Sequence, residues 1–280
     1  MDKNAAKQKM EELIQHLVDL DSLLVAFSGG VDSAFLLVMA RQALGEKVVA
    51  ATASSIIHPA RETAEAKDFA RDRGIPHIIF PSDELGIPGF VANSPDRCYL
   101  CKHRLFQNLV EMARENGLKH VAHGANSDDL ADYRPGFRAA KEAGVIAPLI
   151  DAQLSKEEVR FLSREMGLST WDRPAMPCLA TRFPYGSPIT KEKLKMVENA
   201  ESFLLEQGFK VVRVRHHGSV ARVEVGRSEM GKIMDEGLGK AIVEEFRKIG
   251  FEHVALDLEG YVSGSLNRVI GEMGEKGADK

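Results

Sequence analysis

The sequence predicts an α/β protein in two parts: a domain built on a mainly parallel sheet over residues 1–180, and a smaller α+β domain over residues 181–280. Three observations predict it. Short apolar runs alternate with helical periods through the first half, the pattern of βαβ units. Residues 172–188, with four prolines and no period, break that rhythm and read as a functional loop or linker. Beyond them, two alternating runs flank Gly218, as in a β-hairpin.

The elements follow in order. Met10, Leu13, Leu17 and Leu20 recur at helical spacing, so residues 5–20 predict a helix. Residues 22–27 (SLLVAF) form a short apolar run and predict a buried strand. A helix is expected from Asp32 to a C-cap at Gly45, then a strand over 47–53, a helix over 61–73 closed by Gly74, and a strand over 77–80. A helix over 102–116, a strand over 120–123 and a fifth strand over 145–150 complete the sheet. Ser155 with Glu158 reads as a capping box opening another helix. In the second part, a long helix over 191–207 ends at Gly208 and precedes strands over 210–216 and 220–225. Two short helices and a strand over 253–257 follow, and the tail from Gly271 is expected to fray.

The bulk properties exclude several classes. The chain has 280 residues, 44% of them hydrophobic and 28% charged, as in ordinary globular proteins. A net charge of −4 argues against broad nucleic-acid binding, which uses a basic surface. No apolar run approaches the roughly 18 residues needed to span a bilayer. The charged N-terminus has no signal-peptide core, so a cytosolic protein is expected. In that compartment three cysteines are not expected to form disulfides.

The strongest motif is Ser28, Gly29, Gly30, Val31, Asp32 and Ser33, between a predicted strand and a predicted helix. Two glycines let the backbone turn tightly and approach an anion. Amides at a helix N-terminus point outward with the positive end of the dipole, and the two serines add hydroxyls. This is a cradle for pyrophosphate, and it lacks the Gly-Lys-Ser/Thr of a Walker A loop. It resembles the PP-loop of the adenine-nucleotide α-hydrolase superfamily, which implies cleavage of ATP between its α and β phosphates, with Asp32 serving Mg²⁺ directly or through water.

Cys98 and Cys101 form a C-x-x-C pair, and Cys178 lies in the proline-rich stretch. Three thiolates suit a 4Fe–4S cluster with one open iron. A redox pair, incidental thiols, or zinc completed by His103 or solvent are the alternatives. Arg97 and Lys102 flank the pair with positive charge, which favours ligation or nucleophilicity. Gly124, Asn126, Asp128 and Asp129 follow a predicted strand on the side where open α/β sheets bind ligands. Arg213 and Arg215 alternate with valines and share a strand face; Arg222 and Glu224 share a face of the next strand. Paired arginines suit phosphate or carboxylate, and ordinary cross-strand ion pairs are the alternative.

Over nearly its whole length the chain resembles the LarE family of ATP-dependent sulfur transferases. The marks are the loop at 28–33, Arg97-Cys98-Tyr99-Leu100-Cys101-Lys102, Gly124-Ala125-Asn126-Ser127-Asp128-Asp129-Leu130-Ala131-Asp132-Tyr133-Arg134-Pro135-Gly136, and Pro177-Cys178-Leu179-Ala180-Thr181-Arg182-Phe183-Pro184-Tyr185-Gly186. The resemblance implies a small nucleotide substrate, pyridinium-3,5-biscarboxylic acid mononucleotide. Its carboxylates would be adenylated and converted to thiocarboxylates for the nickel-pincer nucleotide cofactor. One type of family member sacrifices the sulfur of a cysteine at the position of Cys178. A three-cysteine type holds a 4Fe–4S cluster that carries sulfide, and this chain has that pattern. By resemblance Gly124, Asn126, Asp128 and Asp129 serve nucleotide and Mg²⁺, and Ala53 and Ser54 contact the adenosine. Arg213, Arg215, Arg222 and Glu224 would form a substrate phosphate site, completed by Arg182 and, more weakly, Glu201. His216 and His217 are assigned no metal. A homo-oligomer, with a hexamer as one form, is also implied; the sulfide donor is not. The rival readings are a tRNA thiolase, which would want an RNA-binding module; an ammonia-using ligase related to NAD or GMP synthetases, which leaves the cysteines unexplained; and a nucleotide sensor without turnover.

Overall fold

Apolar residues on alternate positions of the first strands face two helical layers, and this fixes the architecture. The computed structural model describes residues 1–131, 135–262 and 264–268. Asp132, Tyr133 and Arg134 of the third family mark, and the tail from Gly271, lie outside the described residues. In chain order the elements are α1 (Lys3–Val18), β1 (Leu23–Ala26), α2 (Val31–Leu44), β2 (Val48–Ser54), α3 (Ala60–Arg71), β3 (His77–Pro81), α4 (Pro88–Val91), α5 (Arg97–Glu115) and β4 (His120–His123). Then come α6 (Gly136–Glu142), α7 (Pro148–Asp151), α8 (Lys156–Glu165), α9 (Lys191–Glu206), β5 (Val212–His217), β6 (Val220–Val225), α10 (Met230–Ile233), α11 (Glu236–Ile249) and β7 (His253–Leu256).

The chain divides into two compact units: residues 1–87 with 96–176, and residues 88–95 with 177–280. Sequence alone places the boundary near 180 and gives no sign that α4 joins the second unit.

The first unit holds a parallel sheet in the order β3-β2-β1-β4. Leu23 and Val25 of β1 pack with Leu13 and Leu17 of α1, Phe35 and Leu36 of α2 and Leu162 of α8. Leu24, on the opposite face, packs with Phe106 and Leu109 of α5 and Ala139 of α6. Because β2 and β4 flank β1, the order of connection reverses beside β1, the point at which open α/β sheets form a ligand crevice.

Two expectations need correction here. Residues 145–150 do not form a fifth strand; a single bridge joins Ile146 to Ala122, and α7 starts at Pro148. Proline has no N–H for a ladder and a φ suited to a helix start. The helix expected from Lys102 begins at Arg97, so both cysteines of the C-x-x-C pair lie in its first turns.

The second unit packs α9 and α11 on a three-stranded sheet, β5-β6-β7, with an antiparallel hairpin and a parallel third strand. Leu204, Val212, Val214, Val223, Phe246 and Phe251 share its core. The second of the two helices expected to be short, α11, has 14 residues.

Candidate active site

The phosphate loop runs from the end of β1 into α2. Gly29 has φ +77°, which the loop's turn requires and which favours glycine. Gly30 is the N-cap of α2, so the first amides of the helix remain available to an anion. The hydroxyls knit the loop together: Ser33 Oγ donates to the Gly30 carbonyl at 3.2 Å and lies 3.1 Å from Ser28 Oγ. Gly124, just past β4, closes the other side of the crevice. A Cβ there would lie 2.7 Å from the Ser33 nitrogen and 2.8 Å from its Cα, so glycine is what permits the approach.

Asp32 is the hub of the site. Buried Asn126 donates Nδ2–H to Asp32 Oδ1 at 3.2 Å. Lys156, the first residue of α8, places its ammonium on Asp32 Oδ2. The amide of Lys156 donates to Asp128 Oδ2 at 2.9 Å, and the amide of Asn126 to Asp129 Oδ2 at 3.0 Å. Asp128 therefore holds the start of α8 in place, and Asp129 closes a turn around Asn126. A carboxylate at a phosphate cradle is the oxygen donor Mg²⁺ takes alongside phosphates, so Asp32 fits that ion. At the end of β2, Ala53 is half-buried and Ser54 exposed. Sequence reading misses Lys156 and also Arg173, whose Nη1 donates to the Gly29 carbonyl at 3.0 Å.

Cys98 and Cys101 stand three apart in α5 and so share one helix face. Both, like Cys178, are half-buried. Among the described residues no three His, Cys, Asp or Glu side chains are gathered into a metal-holding group. One turn further along α5, Lys102 neighbours His123 at the end of β4. The His123 ring lies between Phe106 and Phe137, and burial, then the Lys102 charge, lowers its pKa to about 4.

In the second unit Cys178 opens a short 3-10 turn, Leu179–Arg182. Its carbonyl accepts from the Thr181 hydroxyl at 2.9 Å and from Arg182 Nη1 at 3.1 Å. Arg182 also holds the Pro177 carbonyl at 2.7 Å and forms two parallel 2.8 Å bonds with Glu201. Glu201 in turn accepts the Val214 amide at 2.9 Å. Arg215 makes the same fork with Glu224, two bonds of 2.8 Å, and donates to the Thr181 carbonyl at 2.8 Å. Arg222 pairs with Glu224 at 2.9 Å and with Asp257 at 3.4 Å. The arginine face foreseen on β5 is thus buried rather than solvated, and the forks of Arg182 and Arg215 engage carboxylates. Arg213 donates to the Val212 carbonyl at 2.6 Å and lies over the Tyr261 ring, and burial, then the charge of Arg182, lowers its pKa from the ordinary arginine value. His216 wedges between Phe183 and Phe251, and burial, then the Lys193 charge, lowers its pKa.

The PP-loop domain family matches residues 2–133. The pyridinium-3,5-bisthiocarboxylic acid mononucleotide synthase of Lactiplantibacillus plantarum is 35% identical over 263 residues, 94% of this chain and 95% of that protein. The chain belongs to the LarE family. Two further relatives are uncharacterized proteins: one from Synechocystis sp., 44% identical over 94% of this chain and 98% of its own, and one from Methanocaldococcus jannaschii, 28% identical over 93% and 96%. As a LarE-family protein the chain is an ATP-dependent sulfurtransferase that produces a thiocarboxylate. No described helix is long and apolar enough to cross a membrane.

Proposed function

We propose that this LarE-family enzyme converts both carboxylates of pyridinium-3,5-biscarboxylic acid mononucleotide to thiocarboxylates, one ATP per oxygen replaced. A carboxylate oxygen attacks the α-phosphorus of ATP, and the bond from that phosphorus to the bridging oxygen breaks, releasing pyrophosphate. A sulfur nucleophile then adds to the acyl carbon, and the carbon–oxygen bond breaks, so AMP leaves with an oxygen that began in the carboxylate. The chemistry needs this sequence because a carboxylate oxygen leaves poorly until it is phosphorylated. The observation that carries the reading is the Asp32 hub, where Lys156 and Asn126 meet at the N-terminus of α2 beneath a loop with no Walker lysine. Amides of the loop and α2 would hold the pyrophosphate, Lys156 its charge, and Asp32 the Mg²⁺, with Ala53 and Ser54 beside the adenosine.

In the second unit, Arg213 would take the substrate phosphate. Arg182 and Arg215 would act by positioning: Arg182 fixes the Cys178 carbonyl, and Arg215 fixes the turn that follows it. Thiols suit iron, and the shared helix face of Cys98 and Cys101 suits two ligands to one group. These two with Cys178 would hold a 4Fe–4S cluster, which would supply iron able to carry sulfide. The enzyme would work as a homo-oligomer, as the family resemblance implies.

Anaerobic reconstitution with iron and sulfide, with iron counting and electron paramagnetic resonance, tests the sulfur route. About four irons per chain, lost in Cys98→Ala, Cys101→Ala and Cys178→Ala while ATP binding persists, is expected. Full activity of Cys98→Ala and Cys101→Ala, with loss of one H₂S in mass per chain after turnover, would make Cys178 a sacrificial, single-use sulfur source instead.

A further inference from the structure

The loop at 28–33 contains no lysine or arginine, yet pyrophosphate brings several negative charges to it. The cations that touch the loop come from further along the chain, and α8 organises them. Lys156 begins α8 and reaches Asp32. Arg160, one turn on, donates to the carbonyls of Trp171 at 2.8 Å and Arg173 at 2.5 Å. The backbone of Arg173 is thereby pinned to α8 while its side chain extends over the loop. There Nη1 donates to the Gly29 carbonyl, and Nη2 pairs with Glu65 of α3 at 3.0 Å. A Cβ on Gly29 would lie 3.6 Å from Arg173 Nη1, so the guanidinium rests against the bare face of the glycine.

These resting partners are weak ones for a guanidinium. One is a neutral carbonyl. The other is a carboxylate 45% exposed, against 10% for the carboxylate that faces Arg182. Exposed pairs are screened and exchange readily. A guanidinium presents a planar fork that matches phosphate oxygens. We propose that Arg173 is a pyrophosphate-binding residue. On ATP binding it exchanges the Gly29 carbonyl and Glu65 for oxygens of the β and γ phosphates, and it holds them as pyrophosphate leaves. Glu65 is its resting partner and competes with the ligand. The inference rests on the reading of the loop as the ATP site.

Calorimetric titration of the full chain with Mg²⁺–pyrophosphate, and separately with AMP, tests it in the wild type, Arg173→Gln and Glu65→Gln. The wild type must bind pyrophosphate; if it does not, the loop reading itself fails, whatever the variants do. Arg173→Gln is expected to bind pyrophosphate about tenfold to hundredfold more weakly, the size of a lost charge-assisted bond, with AMP affinity unchanged. Glu65→Gln is expected to bind pyrophosphate at least as tightly as the wild type, because a competitor is gone. Equal weakening for AMP, unchanged pyrophosphate affinity in Arg173→Gln, or weakening in Glu65→Gln would make Arg173 a strut of the loop and overturn the proposal.

Discussion

Replacing Glu201 by glutamine tests whether Arg182 acts by holding Cys178. The Arg182 and Glu201 side chains are 4% and 10% exposed, and two 2.8 Å bonds join them. Removing one partner of such a buried pair costs about 3–5 kcal/mol, because the other charge stays buried without compensation. The glutamine amide retains one oxygen that can still accept from Val214 or Arg182, so the low end, about 3 kcal/mol, is expected. The two units need not unfold together, so a single global transition is a poor reporter. Hydrogen exchange at the Val214 amide, which donates to Glu201, reads the second unit directly. Its exchange should accelerate by roughly a hundredfold for 3 kcal/mol. Sulfur transfer should slow while ATP affinity is unchanged, since Arg182 holds the Pro177 and Cys178 carbonyls. Adding Arg182→Met should restore part of the lost protection, because the uncompensated charge is then gone. A loss below about 1 kcal/mol, the value for exposed bridges, or a double variant as unstable as the two singles summed, would refute the reasoning.

Gly124→Ala places a Cβ 2.7 Å from the Ser33 nitrogen. It should cost about 1–3 kcal/mol and weaken Mg²⁺–ATP binding by calorimetry, whereas Gly231→Ala, in open space, should do neither. His123, with its pKa lowered from 6.5 to about 4, is neutral when folded. Below about 6.5 the unfolded chain takes up a proton that the folded chain does not, so stability falls as pH drops from 6.5 towards 4 and levels off below. The sum is of the order of 3 kcal/mol, and a urea series against pH should be flatter for His123→Asn in that window. Ser155→Ala removes the capping box that starts α8 and should cost about 1 kcal/mol by the same unfolding measurement.

Features with local causes were legible in the sequence. The phosphate loop is one, because two glycines between an apolar run and a helical period permit the tight turn from a strand into a helix N-terminus. The capping box at Ser155 is another. The start of α5 was not: Asp96 is a residue type that suits an N-cap, but the clear helical period begins only later, near Lys102. The apolar stretch at 145–150 looked like a strand until Pro148 is weighed as a helix start. Lys156 and Arg173 were invisible for a different reason. Their partners Asp32 and Gly29 lie 124 and 144 positions away, and a lysine after an N-cap serine is ordinary in itself. For β5, alternation placed Arg213 and Arg215 on one face, but their burial depends on Thr181 and Tyr261, which no period reveals.

The central claim, that a carboxylate oxygen is carried off on AMP, is tested most directly with substrate labelled with ¹⁸O in its carboxylates. Mass spectrometry of the products after turnover with Mg²⁺–ATP should find one ¹⁸O in each AMP formed, none in pyrophosphate, and one AMP per thiocarboxylate. Label in inorganic phosphate with ADP as the nucleotide product, or thiocarboxylate formed with unlabelled AMP, would contradict the adenylation mechanism.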